Sequence, residues 1–342
     1  MRIFILGIES SCDETAASVV ADGREMLSNI VSSSEQFHQE FGGIVPEIAS
    51  RKQLEYLLPV ITAALDEAET APAELAAVAV TNGPGLIGSL VVGLVGAKTF
   101  ADIYSLPLIG VNHLEGHLYA NWIRLPDDSR PHPALPALVL IASGGHAHMV
   151  WMEDHGNYRI LGRTRDDAPG EALDKAARLL ELGYPGGPII DKLAREGNPR
   201  AVEFPRALLP GTFDFSFSGV KTSLANYLRK TAGGGRAAVE DIAAGYQEAI
   251  MSVLVEKLFL AALELGPAQV VLAGGVAANS RLRELAEARA QKDGIPLSLP
   301  PRVLCTDNGA MIAAAGYFHA LREDFAPLDL DASASLPLDG NE

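Results

Sequence analysis

Only two cysteines, Cys12 and Cys305, occur in 342 residues. They are too few and too far apart for the disulfide framework of a secreted domain, so reduced thiols in the cytoplasm are the expectation. Basic residues are also scarce: 27 Lys and Arg stand against 43 Asp and Glu, a formal charge of -16. Such a chain does not bind a nucleic-acid backbone through its net field, and any nucleic-acid partner needs a local basic patch or a helper subunit. Long apolar runs are missing. Ile3 to Ile8 is shorter than a signal-peptide core and is followed at once by Glu9 and Asp13, while Gly83 to Ala97 contains Pro84 and stops at Lys98; no membrane span is expected. Neither a Gly-x-x-x-x-Gly-Lys-Ser/Thr loop nor a Gly-x-Gly-x-x-Gly after the first strand is present, which disfavours P-loop and Rossmann chemistry.

What is present suits a compact chain of two domains. Hydrophobic residues make up 48% and charged residues 20%, enough to bury a full core. Ile3 to Ile8 and Ala16 to Ala21 read as strands flanking the polar turn 9–15; Ala137 to Ala142 and Ala147 to Met152 flank Ser143-Gly-Gly-His146 in the same way. A second coincidence follows in the same order. Ala76 to Thr81 ends in Asn82-Gly-Pro-Gly85 before a helix, and Gln269 to Ala273 ends in Gly274-Gly275 and Asn279 before another. An internal duplication explains both. Helices are expected over 46–65, 88–104, 116–124, 171–181, 188–196, 220–230, 239–265, 280–292 and 308–322, with a linker at 125–136. The architecture is α/β with two lobes and a central cleft: residues 1–124 completed by 305–326, residues 137–304, and a frayed tail over 327–342.

His113 and His117 lie four apart, so one helical turn points both imidazoles the same way. Glu115 stands two residues from each. In a zinc protease the glutamate follows the first histidine directly and acts on metal-bound water; here the ~100° turn per residue carries it to the other side of the helix. Asp307, in a polar segment opening the last helix, is the best third ligand, and two histidines with one carboxylate leave open positions on iron or zinc. Elsewhere, Ser143-Gly-Gly-His146 can present backbone N–H groups to an anion, though a plain hairpin turn has the same composition. Asn279 reads either as a helix cap or as a ligand to a ribose or base, and Asp191, after Tyr184-Pro-Gly-Gly-Pro188, as a ribose acceptor or a surface carboxylate.

Taken in order, Glu9-Ser-Ser-Cys-Asp-Glu-Thr15, Gly83-Pro-Gly-Leu86, His113-Leu-Glu-Gly-His117, Ser143-Gly-Gly-His146, Phe215-Ser-Phe-Ser-Gly219 with Lys221-Thr222, Ala273-Gly-Gly-Val-Ala-Ala-Asn279 and Cys305-Thr-Asp-Asn-Gly309 resemble the tRNA adenosine threonylcarbamoyltransferase family, over residues 3 to about 320. The resemblance implies a duplicated fold of the actin, Hsp70 and sugar-kinase class. It implies transfer of threonylcarbamoyl from threonylcarbamoyl-adenylate to N6 of adenosine 37 in tRNAs reading codons that begin with A. His113, His117 and Asp307 match its metal ligands, with one divalent ion per subunit, iron(II) favoured over zinc. Ile141, Ala142, Ser143, Gly144, Gly145, Asp174, Gly187, Asp191 and Asn279 match positions that contact the adenylate. Bacterial members work with an inactive paralogue and a small ATPase. Two positions depart from the pattern: Gln53 stands where histidine is usual, and Ala147 where threonine is usual.

On this reading Asp13 or Glu14 takes the proton from N6, unless it pairs with a cation such as Lys175. Transfer RNA docks on Arg195, Arg200, Arg206, Arg229, Lys230, Arg281 and Arg283, and the helix from Pro46 is a candidate partner face. A kinase or ATPase of the same fold and a metalloprotease are the competing readings.

Overall fold

The structure, a computed structural model, describes residues 2–125, 128 and 130–340. It divides into two units, Met1–Pro133 with His155–Asn157 and Val303–Glu342, and Ala134–Asp154 with Tyr158–Arg302. In the first unit come β1 (Phe4–Glu9), β2 (Glu14–Ala21), β3 (Glu25–Met26), β4 (Ile30–Ser33), α1 (Pro46–Glu67), β5 (Leu75–Gly83), α2 (Ile87–Tyr104), β6 (Leu108–Asn112) and α3 (His113–Tyr119). The second holds β7 (Ala137–Ala142), β8 (Ala147–Asp154), most of β9 (Asn157–Arg163), α4 (Pro169–Leu179), α5 (Gly186–Ala194), α6 (Ser218–Lys230), α7 (Val239–Leu265), β10 (Gln269–Ala273), α8 (Ser280–Asp293) and β11 (Leu297–Ser298). The chain then returns to the first unit with α9 (Gly309–Leu321).

The duplication is visible in strand order. The first sheet runs β3-β2-β1-β5-β6, with β4 also on β2; the second runs β11-β10-β7-β8-β9, the same order read backwards. In each, the first strand pairs antiparallel with the second (β1 with β2, β7 with β8) and parallel with the strand before a Gly-rich turn (β1 with β5, β7 with β10). Strands β1, β7 and β10 are buried over almost their whole length, as strands covered on both faces are.

Alternation along β1 assigns its two faces. Leu6 and Ile8 join Val60, Ile61, Leu94 and Ala97 in a core with α1 and α2. Gly7 turns to α9, so closely that a Cβ there would lie 2.3 Å from both Ala313 N and Gly309 O. Helix α2 is long and apolar enough to cross a membrane, but its Leu90, Leu94, Ala97 and Ala101 face is core.

Several boundaries differ from the sequence expectation. The third helix begins at His113 rather than Gly116 because the Asn112 side chain caps it, accepting from Leu114 N at 2.9 Å. Short β6 directly precedes it and was not anticipated; nor were β3, β4, β9 and β11, of which β9 alternates exposed with half-buried residues and carries little apolar signal. The segment from Pro327 corrects the expectation of a frayed tail. Ala326 N and Ser333 N donate to Leu108 O and Asn82 O at 2.8 Å, Gly85 N donates to Ala334 O at 3.2 Å, and Asn112 Nδ2 donates to Leu336 O at 3.1 Å. Residues 341 and 342 lie outside the described residues, as do 126, 127 and 129 of the expected linker.

Candidate metal centre

Three elements of the first unit meet at the C-terminal end of β1. Strand β6 feeds α3, whose first turn carries His113 and His117; the Asn308 cap, accepting from Met311 N at 2.9 Å, starts α9 immediately after Asp307. His117 Nε2 stands 3.3 Å from Asp307 Oδ1 and His113 Nε2 stands 3.7 Å from the same oxygen. One ligand atom from each of the three lies within 4.8 Å of the others. Glu115 faces away, as its spacing requires, and pairs with His319 Nε2 at 2.9 Å. A metalloprotease base is therefore absent from this helix face.

A second layer orients the first. Glu9, fully buried at the end of β1, places Oε2 3.1 Å from His113 Nδ1 and accepts from Thr81 Oγ1, while its Oε1 accepts from Ser11 N. Ser11 Oγ lies 3.1 Å from the same Nδ1. With a metal in place of the Nε2 proton, this carboxylate would hold the remaining proton on Nδ1, the arrangement of a metal-bound histidine. Sequence reasoning assigned no role to Glu9, Ser11 or Thr81, although the first two open the motif at 9–15.

Charge favours a cation. Burial disfavours the imidazolium of His113, yet Asp307 and then Glu9 outweigh it and carry the group up to about 9. Burial, then Asp307 and Asp13, push Glu14 well above the usual carboxylate range; burial, then Asp13 and Asp307, push the Cys12 thiol up. Two Nε2 donors and a carboxylate oxygen, ringed by further acids, fit a divalent ion of the iron or zinc kind. Glu9→Gln is expected to weaken zinc binding by about 10- to 100-fold, the cost usual for such supporting partners. Calorimetric titration of the purified protein measures it, and unchanged affinity would show that Glu9 does not orient His113.

The second unit gathers the other expected residues. Ser143 N donates to His146 O at 2.9 Å and His146 N to Ser143 Oγ at 3.2 Å, closing the turn between β7 and β8. Glycine is open here: a Cβ on Gly144 or Gly145 would meet nothing within 4 Å. Ile141 and Ala142 are buried in β7, and Gly274 passes so near that a Cβ would lie 2.5 Å from Ala142 O. Asp174 accepts from Gly186 N and Gly187 N at 2.8 and 3.3 Å. Asp191 accepts from Ser280 N and Oγ, while Asn279 caps α8 by accepting from Arg281 N and Leu282 N. Asn279 Nδ2 also donates to Gln247 Oε1 at 2.8 Å.

One expectation needs correction. Lys175 pairs with Asp167 and Glu171 at 2.8 and 2.7 Å, not with Asp13 or Glu14. Of the arginines expected to meet tRNA, Arg195 pairs with Asp191, Arg206 and Arg281 with Glu248, Arg283 with the Ala277 and Pro300 carbonyls and Arg229 with Asn226, while Arg195, Arg206 and Arg229 stay exposed. Arg200 and Lys230 stand exposed.

Comparison with known proteins extends these observations. The family model described as tRNA N6-adenosine threonylcarbamoyltransferase matches residues 25–314. Curated proteins of that name from Desulfitobacterium hafniense (strain Y51) and Thermomicrobium roseum are 55% and 51% identical; each alignment covers 98% of this chain, and 98% and 97% of theirs. Among solved structures, component A of the (R)-2-hydroxyglutaryl-CoA dehydratase of Acidaminococcus fermentans superposes with a TM-score of 0.54 at 17% identity, covering 94% of this chain and 99% of that one. That likeness concerns the fold, which is of the actin, Hsp70 and sugar-kinase class. With site motifs, duplicated sheets and near-full-length identity in agreement, the chain belongs to the tRNA N6-adenosine threonylcarbamoyltransferase family.

Proposed function

We propose that this chain transfers the threonylcarbamoyl group of threonylcarbamoyl-adenylate to N6 of adenosine 37 in tRNAs reading codons that begin with A, releasing AMP, and that it works in the cytoplasm. The observation that carries the reading is the meeting of His113, His117 and Asp307, backed by Glu9, within a chain of this family. The donor is a mixed carbamic–phosphoric anhydride whose carbonyl is already activated. N6 attacks that carbon, the carbon–oxygen bond to phosphate breaks, and AMP leaves with the electron pair. No covalent enzyme intermediate is required; positioning and charge stabilisation suffice.

His113, His117 and Asp307 are assigned to one divalent ion, iron(II) favoured and zinc the alternative. When bound it supplies positive charge to anionic oxygens of the donor. The open backbone of Ser143, Gly144 and Gly145, at the end of the β7 residues Ile141 and Ala142, is assigned to phosphate or the threonine end. Asp174, Gly187, Asp191 and Asn279 are assigned to ribose and base. The N6 proton goes to the pair Asp13 and Glu14, joined by a hydrogen bond, in which burial raises the proton affinity of Glu14. Mass spectrometry of nucleosides from unmodified tRNA, incubated with preformed adenylate, tests the reading. Threonylcarbamoyladenosine is the expected product; its absence beside phosphate transfer from ATP would favour a kinase.

The inactive paralogue is assigned to α1 and α2, and the small ATPase to the assembled complex. Leu54 and Leu58, one turn apart on α1, are 70% and 71% exposed, and Val91 and Val95 repeat the spacing on α2 at 42% and 56%. Leu54→Glu with Leu58→Glu is expected to weaken association at least about tenfold, since buried apolar anchors carry most of an interface's energy. Thermal stability should change little, both side chains being on the surface. Light scattering behind size exclusion reads the assembly; an undiminished complex would move the partner elsewhere.

A further inference from the structure

Gln53, the departure from the family pattern, is fully buried on α1. Its Nε2 lies 3.3 Å from Ser10 O, 3.0 Å from Cys12 O and 3.1 Å from Glu14 O. Three alternate carbonyls of the segment joining β1 to β2 thus turn inward on one amide nitrogen. Its Oε1 is buried with no hydrogen-bond partner among the described residues, so the polar engagement of this side chain is with that segment alone. Ser10 Oγ donates to Ser89 O at 3.0 Å and Leu86 N donates to Ser11 O at 2.8 Å, holding the segment from α2.

What the segment carries gives the amide its consequence. Ser11 Oγ reaches His113 Nδ1, Ser11 N reaches Glu9, and Asp13 and Glu14 follow directly. We infer that Gln53 is a positioning residue: its amide fixes residues 10–14 so that Ser11 holds the His113 ring and the acidic pair keeps its place beside Asp307. The inference deepens the reading under Proposed function and rests on it. Without the amide, the Ser10, Cys12 and Glu14 carbonyls lose the nitrogen they share, a cost the segment relieves by moving toward water. The Ser11 contact moves with it.

Gln53→Met keeps the length and removes the donor; Gln53→Asn keeps the amide but withdraws it by one methylene; Gln53→His offers a ring N–H. Each is compared with wild type for zinc affinity, using the metal alone, and for kcat and KM of transfer from preformed adenylate. Met and Asn variants should lose about tenfold in kcat with KM within about twofold, and bind zinc several-fold more weakly, because misplaced groups cost rate rather than substrate affinity. The His variant should recover most of both. Met or Asn variants with lowered thermal stability but wild-type kcat and zinc affinity would overturn the inference, leaving Gln53 a packing residue. Should Gln53→Met not fold, Gln53→Asn decides by the same readings. Wild-type protein that makes no threonylcarbamoyladenosine would sink the functional reading instead, and the zinc affinities would still decide the role of Gln53.

Discussion

Asp307→Ala is expected to slow transfer from preformed adenylate by about a thousandfold, the scale of several kcal/mol of lost charge stabilisation at about 1.4 kcal/mol per tenfold. The side chain supplies the one oxygen that faces both imidazoles, at 3.3 and 3.7 Å. Removing it leaves two nitrogens from one helical turn, too few to hold a divalent ion in a defined geometry. The fold should survive, because the cap of α9 belongs to Asn308 and the aspartate side chain is 18% exposed. Single-turnover kinetics with mass detection of the modified nucleoside gives the rate, and circular dichroism the fold. A rate within threefold of wild type would remove the ion from the chemistry.

Gly7→Ala should cost about 3 kcal/mol or more, at the upper end of overpacking penalties. The new methyl would stand 2.3 Å from Ala313 N and Gly309 O, both backbone atoms of α9 with no rotamer to yield. A Cβ on Gly309 would in turn meet Ala17 C at 2.5 Å and Ser18 N at 2.6 Å, so helix and sheet touch main chain to main chain. To admit the methyl α9 must lift, and Asp307 precedes it directly. Loss of stability in urea should therefore be accompanied by weaker zinc binding. Gly144→Ala is the control, since its Cβ meets nothing within 4 Å. Equal urea midpoints for the Gly7 and Gly144 variants would contradict the packing account.

How much the sequence disclosed depended on how local each signal was. The hairpin strands and the strand-to-helix glycine turns were readable because apolar runs and glycine clusters are short-range, and their recurrence in order exposed the duplication. The histidine pair was readable from helical spacing, and Asp307 from being polar among apolar neighbours. Glu9 was not singled out: its work depends on β1 and β5 setting it beside Thr81 and on α3 bringing His113 back to it, contacts 72 and 104 residues away in the chain. The partners of the basic residues were hidden in the same way. The basic charges were visible, but the carboxylates that pair with them, such as Glu248 for Arg281, come near only through folding. The segment from Pro327 looked like a tail because of its Asp and Ser; its anchors are backbone hydrogen bonds and the packing of Leu330 and Ala332 on the core, which composition alone does not place.

X-ray absorption at the edge of the ion in zinc- or iron-reconstituted protein tests the central claim most directly. Two imidazole nitrogens and a carboxylate oxygen at about 2.0–2.2 Å are predicted, with the second nitrogen lost in His117→Ala. A shell of water and carboxylate oxygens without imidazole scattering would contradict it.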